Sequence, residues 1–135
     1  MNLQLSLKKN WFEMTKSGIK TEDYRDLNYY WFVRLVSNYK TTFSRLMGSY
    51  PNEFKETYGK EKLDKAIVDM YNYNNAHYNF KTFTQNTMTL GYPKSTDSER
   101  ILKLYHKGIE IRTGNPEWGA EPNKLYFVIK HGVKI

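Results

Sequence analysis

The chain has 135 residues, a net charge of +7 and no cysteine, so it has the length of one domain and lacks disulfides, Cys-ligated zinc and thiol catalysis. With 39% hydrophobic and 16% aromatic residues it carries too much ring surface for a disordered chain. Its mean hydropathy of −0.78 leaves too little continuous apolar sequence for a membrane span, and a single soluble domain over residues 1–135 is expected.

The opening Met-Asn-Leu-Gln-Leu shows no basic stretch followed by an apolar run, so no secretory signal is read there and a cytoplasmic location is expected. Residues 2–7 alternate apolar and polar, which predicts a half-buried strand with Leu3, Leu5 and Leu7 inward. Asn10 is placed to cap a short helix with Glu13 reaching back and Trp11 and Met14 facing the core, and Gly18 is placed to end it in a left-handed turn. From Lys20 the period changes to two. Thr21, Asp23 and Arg25 share one face and Glu22, Tyr24 and Asp26 the other, which predicts a strand polar on both sides.

Phe32, Leu35, Val36 and Tyr39 follow helical spacing after a cap at Asn28, and Phe43, Leu46, Met47 and Tyr50 repeat it. Pro51 suits a first helical turn, and Leu63, Ala66, Ile67 and Met70 mark the clearest helix. The Tyr/Asn-rich run 71–79 reads as a helix end. Strands are predicted over 78–90, 100–105, 108–113 (after a turn at Lys107-Gly108) and 125–130, the last with Leu125, Phe127 and Ile129 inward. Helices in the middle and strands at both ends define an α+β chain whose N-terminal strands join a C-terminal sheet.

Charge follows the same division. Residues 1–50 hold eight Lys/Arg against four Asp/Glu, residues 51–80 four against five, and residues 81–135 nine against five. The basic excess lies at the two ends, which suits an anionic partner, and the competing reading is a basic surface that serves solubility alone.

Two segments offer chemistry. In Gly18-Ile19-Lys20-Thr21-Glu22-Asp23-Tyr24-Arg25, a lysine at a loop-to-strand junction sits where burial lowers its pKa, Thr21 offers a hydroxyl, and Asp23 is placed to pair with Arg25. The competing reading is a β-branched strand residue flanked by solvated charges. In Gly114-Asn115-Pro116-Glu117-Trp118-Gly119-Ala120-Glu121-Pro122-Asn123, prolines and glycines define a loop that presents Trp118 for stacking and Glu117 for proton transfer. Here the competing reading is a Trp that plugs the end of a small barrel. His77, His106 and His131 stand too far apart for a metal motif, and no metal or cofactor is expected.

Together these residues resemble an ASCH domain of the PUA-like superfamily, most closely the small stand-alone proteins of bacteria and their phages. The likeness runs through Leu5-Ser6-Leu7-Lys8, Trp11-Phe12, the Gly-x-Lys-Thr block of Gly18 to Thr21, Asp23, Arg25, Tyr30-Trp31 and Arg34-Leu35. It resumes at Gly108 to Ile111, Gly114, Pro116 to Ala120 and Tyr126 to Lys130. It covers residues 1–36 and about 78–135, leaving residues 39–75 as a helical insertion. The resemblance implies a small β-barrel with peripheral helices and a cleft that binds RNA or a modified nucleoside. Asp23, Arg25, Tyr30 and Trp118 would serve in binding. It also implies an alternative, an N4-acetylcytidine amidohydrolase with Lys20 as base and Thr21 as nucleophile. The family's donor glutamate has no aligned match, and Glu117 is taken for that role. Asp23 stands where the motif more often has glutamate. A further reading has the helical lobe bind a protein partner through exposed tyrosines.

Overall fold

In a computed structural model, which describes residues 1–74 and 78–135, the chain is α+β and divides into two compact units. One comprises residues 1–25 and 82–135, the other residues 26–81. Among the described residues no helix is long and apolar enough to cross a membrane.

The first unit holds β1 (Asn2–Leu7), α1 (Lys9–Lys16), β2 (Glu22–Asp26), β3 (Gln85–Leu90), β4 (Ile101–Thr113) and β5 (Leu125–Lys134), with β2 ending at the unit boundary. Its mixed sheet has the order β1-β3-β4-β5-β2 and curls into a half-barrel. β1 runs parallel to β3, and β3, β4 and β5 are antiparallel neighbours. The two edges are β1 and β2. Arg25 joins them, its Nη2 donating to the Ser6 carbonyl at 3.2 Å while Nη1 donates to the Tyr24 carbonyl at 2.8 Å. A side chain thus spans the seam where a closed barrel would have a ladder.

Alternation buries Leu3, Leu5 and Leu7 of β1 as expected. β5 departs from simple alternation, because Tyr126, Phe127, Val128 and Ile129 are all buried. Its second face is covered by Ala120 from the preceding loop and by Tyr24 of β2. α1 begins two residues earlier than expected, after Lys8, and Asn10 lies inside it. It buries Phe12 and Thr15, leaving Trp11 and Met14 half-buried, so the inward face is turned by one position. The Thr15 hydroxyl is satisfied by the Trp11 carbonyl at 2.8 Å, which lets a polar residue occupy that face. Gly18 takes a φ of +84°, the left-handed turn that sends the chain from α1 into β2.

The strand expected over 78–90 is confined to β3, and the two expected over 100–113 form one strand. Lys107-Gly108 is a bulge rather than a turn: register shifts lie on either side of the His106/His131 pairing, and they bend β4 against β5 without ending it.

The helical unit contains α2 (Tyr29–Leu35), α3 (Tyr39–Met47), α4 (Pro51–Tyr58) and α5 (Lys60–Asn74). Asn28 caps α2 by accepting the Trp31 amide at 3.0 Å. Tyr39 opens α3 instead of extending α2, since Val36 is extended and pairs with Phe80. Phe32, Leu35, Phe43, Leu63, Ile67 and Met70 form the core, with Phe32 edge-on to Phe43 and Tyr78. The unit is wider than the insertion expected over 39–75, because α2 and the returning segment 78–81 belong to it. Its eight Lys/Arg against six Asp/Glu give +2, and the other unit's thirteen against eight give +5.

Candidate functional site

The Gly-x-Lys-Thr block lies where α1 hands over to β2. Lys20 is 3% exposed and Asp23 2%, so the two charges are buried together. The Lys20 ammonium donates to Asp23 Oδ1 and, at 2.7 Å, to the Glu22 carbonyl. Asp23 Oδ2 faces His131 Nε2 at 2.6 Å. The carboxylate is therefore engaged by Lys20 and His131, not by Arg25 as the shared strand face suggested.

The network continues across the concave side. His131 Nδ1 lies 2.8 Å from Asn86 Nδ2, and Asn86 Oδ1 lies 2.7 Å from His106 Nδ1. Asn86 Nδ2 also donates to the Lys130 carbonyl at 3.2 Å. A carbonyl can only accept, so the amide nitrogen faces Lys130 and the orientation of Asn86 is fixed. His131 Nδ1 must then accept, and its proton sits on Nε2, pointing at Asp23. His106 Nδ1 must donate to Asn86 Oδ1. One directional chain runs from His106 through Asn86 and His131 to Asp23, where Lys20 meets it from the other side. Among the described residues no buried side-chain nitrogen or oxygen lacks a hydrogen-bond partner.

Burial lowers the Lys20 pKa, and Asp23 opposes that shift without cancelling it. For Asp23, burial raises the pKa, but the His131 hydrogen bond and the Lys20 charge outweigh it and hold the carboxyl at about 2. Burial lowers the His106 pKa as well, helped by the nearby His131 and Lys130.

Thr21 follows Lys20 at the exposed start of the strand, its carbonyl accepting the His131 amide at 3.0 Å. Glu117 and Trp118 lie on a 3-10 turn, Pro116–Trp118, with Glu117 exposed and Trp118 half-buried. That loop is anchored through Tyr24, whose hydroxyl accepts the Asn115 amide at 2.9 Å. As strand neighbours, Tyr24 and Asp23 point to opposite faces of β2. The structure thus brings Lys20 and Asp23 into contact, sets Thr21 beside them at the surface, and fixes the Glu117 loop to the other face of the strand. On that face Arg112 grips Glu22 with two hydrogen bonds of 2.9 and 2.6 Å. Burial raises the Glu22 pKa, and the hydrogen bonds from Arg112 and Tyr24 with the charges of Arg112 and Lys20 outweigh it, leaving it below the usual value. Arg25 spans the sheet seam. Tyr30 belongs to the helical unit, where the Arg34 guanidinium lies 3.3 Å from its ring centroid.

Sequence spacing singled out none of Asn86, His106 and His131 for the site. Counting β4 and β5 outward from the 114–124 loop sets His106 opposite Gly132, and the bulge moves its partner by one residue to His131, so sequence counting alone misses the pair; Asn86 comes in from β3. His77 lies outside the described residues. Compared with protein-family models, curated proteins and solved structures, the chain matches none.

Proposed function

We propose that the β unit is an ASCH-type domain of the PUA-like superfamily that binds RNA or a modified nucleoside around Thr21. The observation that carries this reading is the Lys20–Asp23 pair, buried and tied to His131, at the entry to the edge strand of a half-barrel. The pair fixes the backbone that presents Thr21, and the unit's +5 charge supplies attraction to phosphate. Asp23 neutralises Lys20, so long-range attraction comes from surface cations and Thr21 contributes local hydrogen bonding.

The test measures RNA-oligonucleotide anisotropy over a salt series, with calorimetry on N4-acetylcytidine and cytidine. Binding that weakens with salt and falls in Thr21→Ala supports the reading. Absence of binding to RNA and to both nucleosides at low salt overturns it.

A second, enzymatic reading rests on the lowered Lys20 pKa next to an exposed threonine hydroxyl. Thr21 Oγ would attack the acetyl carbonyl of N4-acetylcytidine and pass its proton to Lys20, and the departing amine of cytidine would take that proton back from the Lys20 ammonium, because the loop that holds Glu117 is anchored on the other face of β2. Water would then release acetate from Thr21. Conversion of N4-acetylcytidine to cytidine and acetate that vanishes in Thr21→Ala supports it. The binding reading is preferred because a neutral Lys20 would have to give up its ion pair with Asp23.

A further inference from the structure

The helical unit carries a concavity that the reading above does not use. It has a volume of about 420 Å³ and is walled by residues of α2, α3, α4 and α5, within the range of roughly 300–1,000 Å³ common for small-molecule sites. Three rings, Tyr29, Tyr30 and Tyr39, and three cations, Arg34, Lys55 and Lys60, line it.

The cations are unevenly committed. Arg34 is held flat against Tyr30, one helical turn away, and its Nη1 donates to the Tyr30 carbonyl at 2.9 Å. That leaves a fixed guanidinium-and-ring platform, with Tyr30 54% exposed. Lys55 and Lys60 form no ion pair among the described residues. One carboxylate, Asp64, lies among the described lining residues, and its Oδ1 accepts the Tyr29 amide at 2.9 Å. The wall therefore combines net positive charge with exposed aromatic surface. An inorganic anion would leave the rings unused, and an uncharged aromatic would leave the lysines unused.

We propose that this pocket binds a nucleotide, with the base against the Tyr30–Arg34 platform and the phosphate at Lys55 and Lys60. The ligand is a free nucleoside monophosphate or one unit of a single strand, two sources of the same chemistry. The site belongs wholly to the helical unit and does not rest on the half-barrel's function.

Calorimetry on the full chain tests it, with AMP, adenosine, inorganic phosphate and hexaadenylate as probes. AMP is expected to bind, and adenosine or phosphate alone to bind at least about ten-fold more weakly. The Lys55→Ala/Lys60→Ala variant, altered at two exposed positions, is expected to lose AMP affinity about ten-fold or more. Tyr30→Ala is expected to lose a similar factor, and Thr21→Ala none. Hexaadenylate binding tighter than AMP assigns a strand, and equal affinity assigns the free nucleotide. The proposal fails if AMP does not bind, or if its binding survives in the double lysine variant. It also fails if only Thr21→Ala reduces AMP binding, which would move the nucleotide to the half-barrel, or if the lysine variant disrupts association with a protein while AMP is ignored.

Discussion

His131 and Asp23, 108 residues apart in the chain, meet at 2.6 Å between Nε2 and Oδ2, each almost wholly buried. The contact ties β5 to β2, so it fastens the edge strand that follows the Gly-x-Lys-Thr block to its neighbour in the sheet. It also gives the carboxylate a second partner besides Lys20. A buried ion pair withdraws two charges from water, and its attraction repays that cost only when the remaining lone pairs are satisfied. Here His131 accepts the proton geometry set by Asn86 and completes the carboxylate's coordination.

Removing one member of the pair is therefore expected to cost far more than removing both. Asp23→Ala leaves the Lys20 ammonium buried without a counter-charge and is expected to destabilise the fold by about 3–5 kcal/mol. The Lys20→Met/Asp23→Leu double variant, which fills the space with apolar side chains, is expected to recover most of that loss. Urea unfolding of the three proteins checks it. A double variant no more stable than Asp23→Ala would show that the pair's charges do not account for the cost.

The same carboxylate sets a pH window. Its ordinary value of 3.8 falls to about 2 in the fold, so the folded state holds fewer protons than the unfolded chain between those values. The stabilisation is complete above about pH 4 and is lost as the pH falls through about 2, amounting to about 2 kcal/mol. Unfolding free energies measured across that window are expected to decline more steeply in the native chain than in Asp23→Asn. Equal slopes would place the acid sensitivity elsewhere.

Asn86 gives a sharper test of the chain's direction. Asn86→Leu keeps the bulk but removes the donor to His131 and the acceptor for His106, and each ring nitrogen left buried and unpaired is expected to cost about 1–3 kcal/mol. Ring nitrogen-15 shifts read the tautomers directly. The native protein is expected to show His131 protonated at Nε2 and His106 at Nδ1, and Asn86→Leu is expected to lose at least one of these assignments. A native His131 protonated at Nδ1 would reverse the inferred direction.

What was legible in the sequence was local. β1, the Asn28 cap, the Pro51 start of α4 and the face of α5 follow from period, capping and propensity, which act within one turn or two residues. Lys20 and Asp23 stand out singly at the junction, but strand alternation pairs Asp23 with Arg25, whereas in the fold Lys20 and His131 take its carboxylate. Local rules miss what depends on partners far along the chain. Trp11 looked like a core residue, but Phe12 and Thr15 supply the buried face, with Thr15 satisfied by the preceding turn. Gly108 looked like a turn because a glycine after lysine often is one, whereas β5 continues opposite it and converts the irregularity into a bulge. The histidines looked unrelated until the hairpin register paired two of them. Even the charge division was displaced: the middle segment is near neutral over 51–80, but the folded helical unit adds Arg34, Lys40, Arg45 and Lys81 against Asp26 alone and becomes positive.

Gly114 tests how far the loop carrying Glu117 and Trp118 is coupled to β2. A Cβ at this position would sit 2.6 Å from Tyr24 Cε1 and 2.7 Å from the Ala120 methyl, so the loop passes where no side chain fits. Tyr24 cannot simply retreat, because its hydroxyl accepts the Asn115 amide at 2.9 Å and its ring lies 5.5 Å from that of Tyr126. Gly114→Ala is expected to push β2 or lift the loop, at about 1–3 kcal/mol in urea unfolding. Gly18→Ala is the control. A Cβ there meets nothing within 4 Å, so its penalty is confined to the left-handed backbone, about 1–2 kcal/mol. The two variants are distinguished by spectroscopy more than by stability. Gly114→Ala is expected to shift the ring resonances of Tyr24 and Tyr126, and Gly18→Ala to leave them in place. Unchanged tyrosine signals in Gly114→Ala would mean that the loop moves without disturbing the strand.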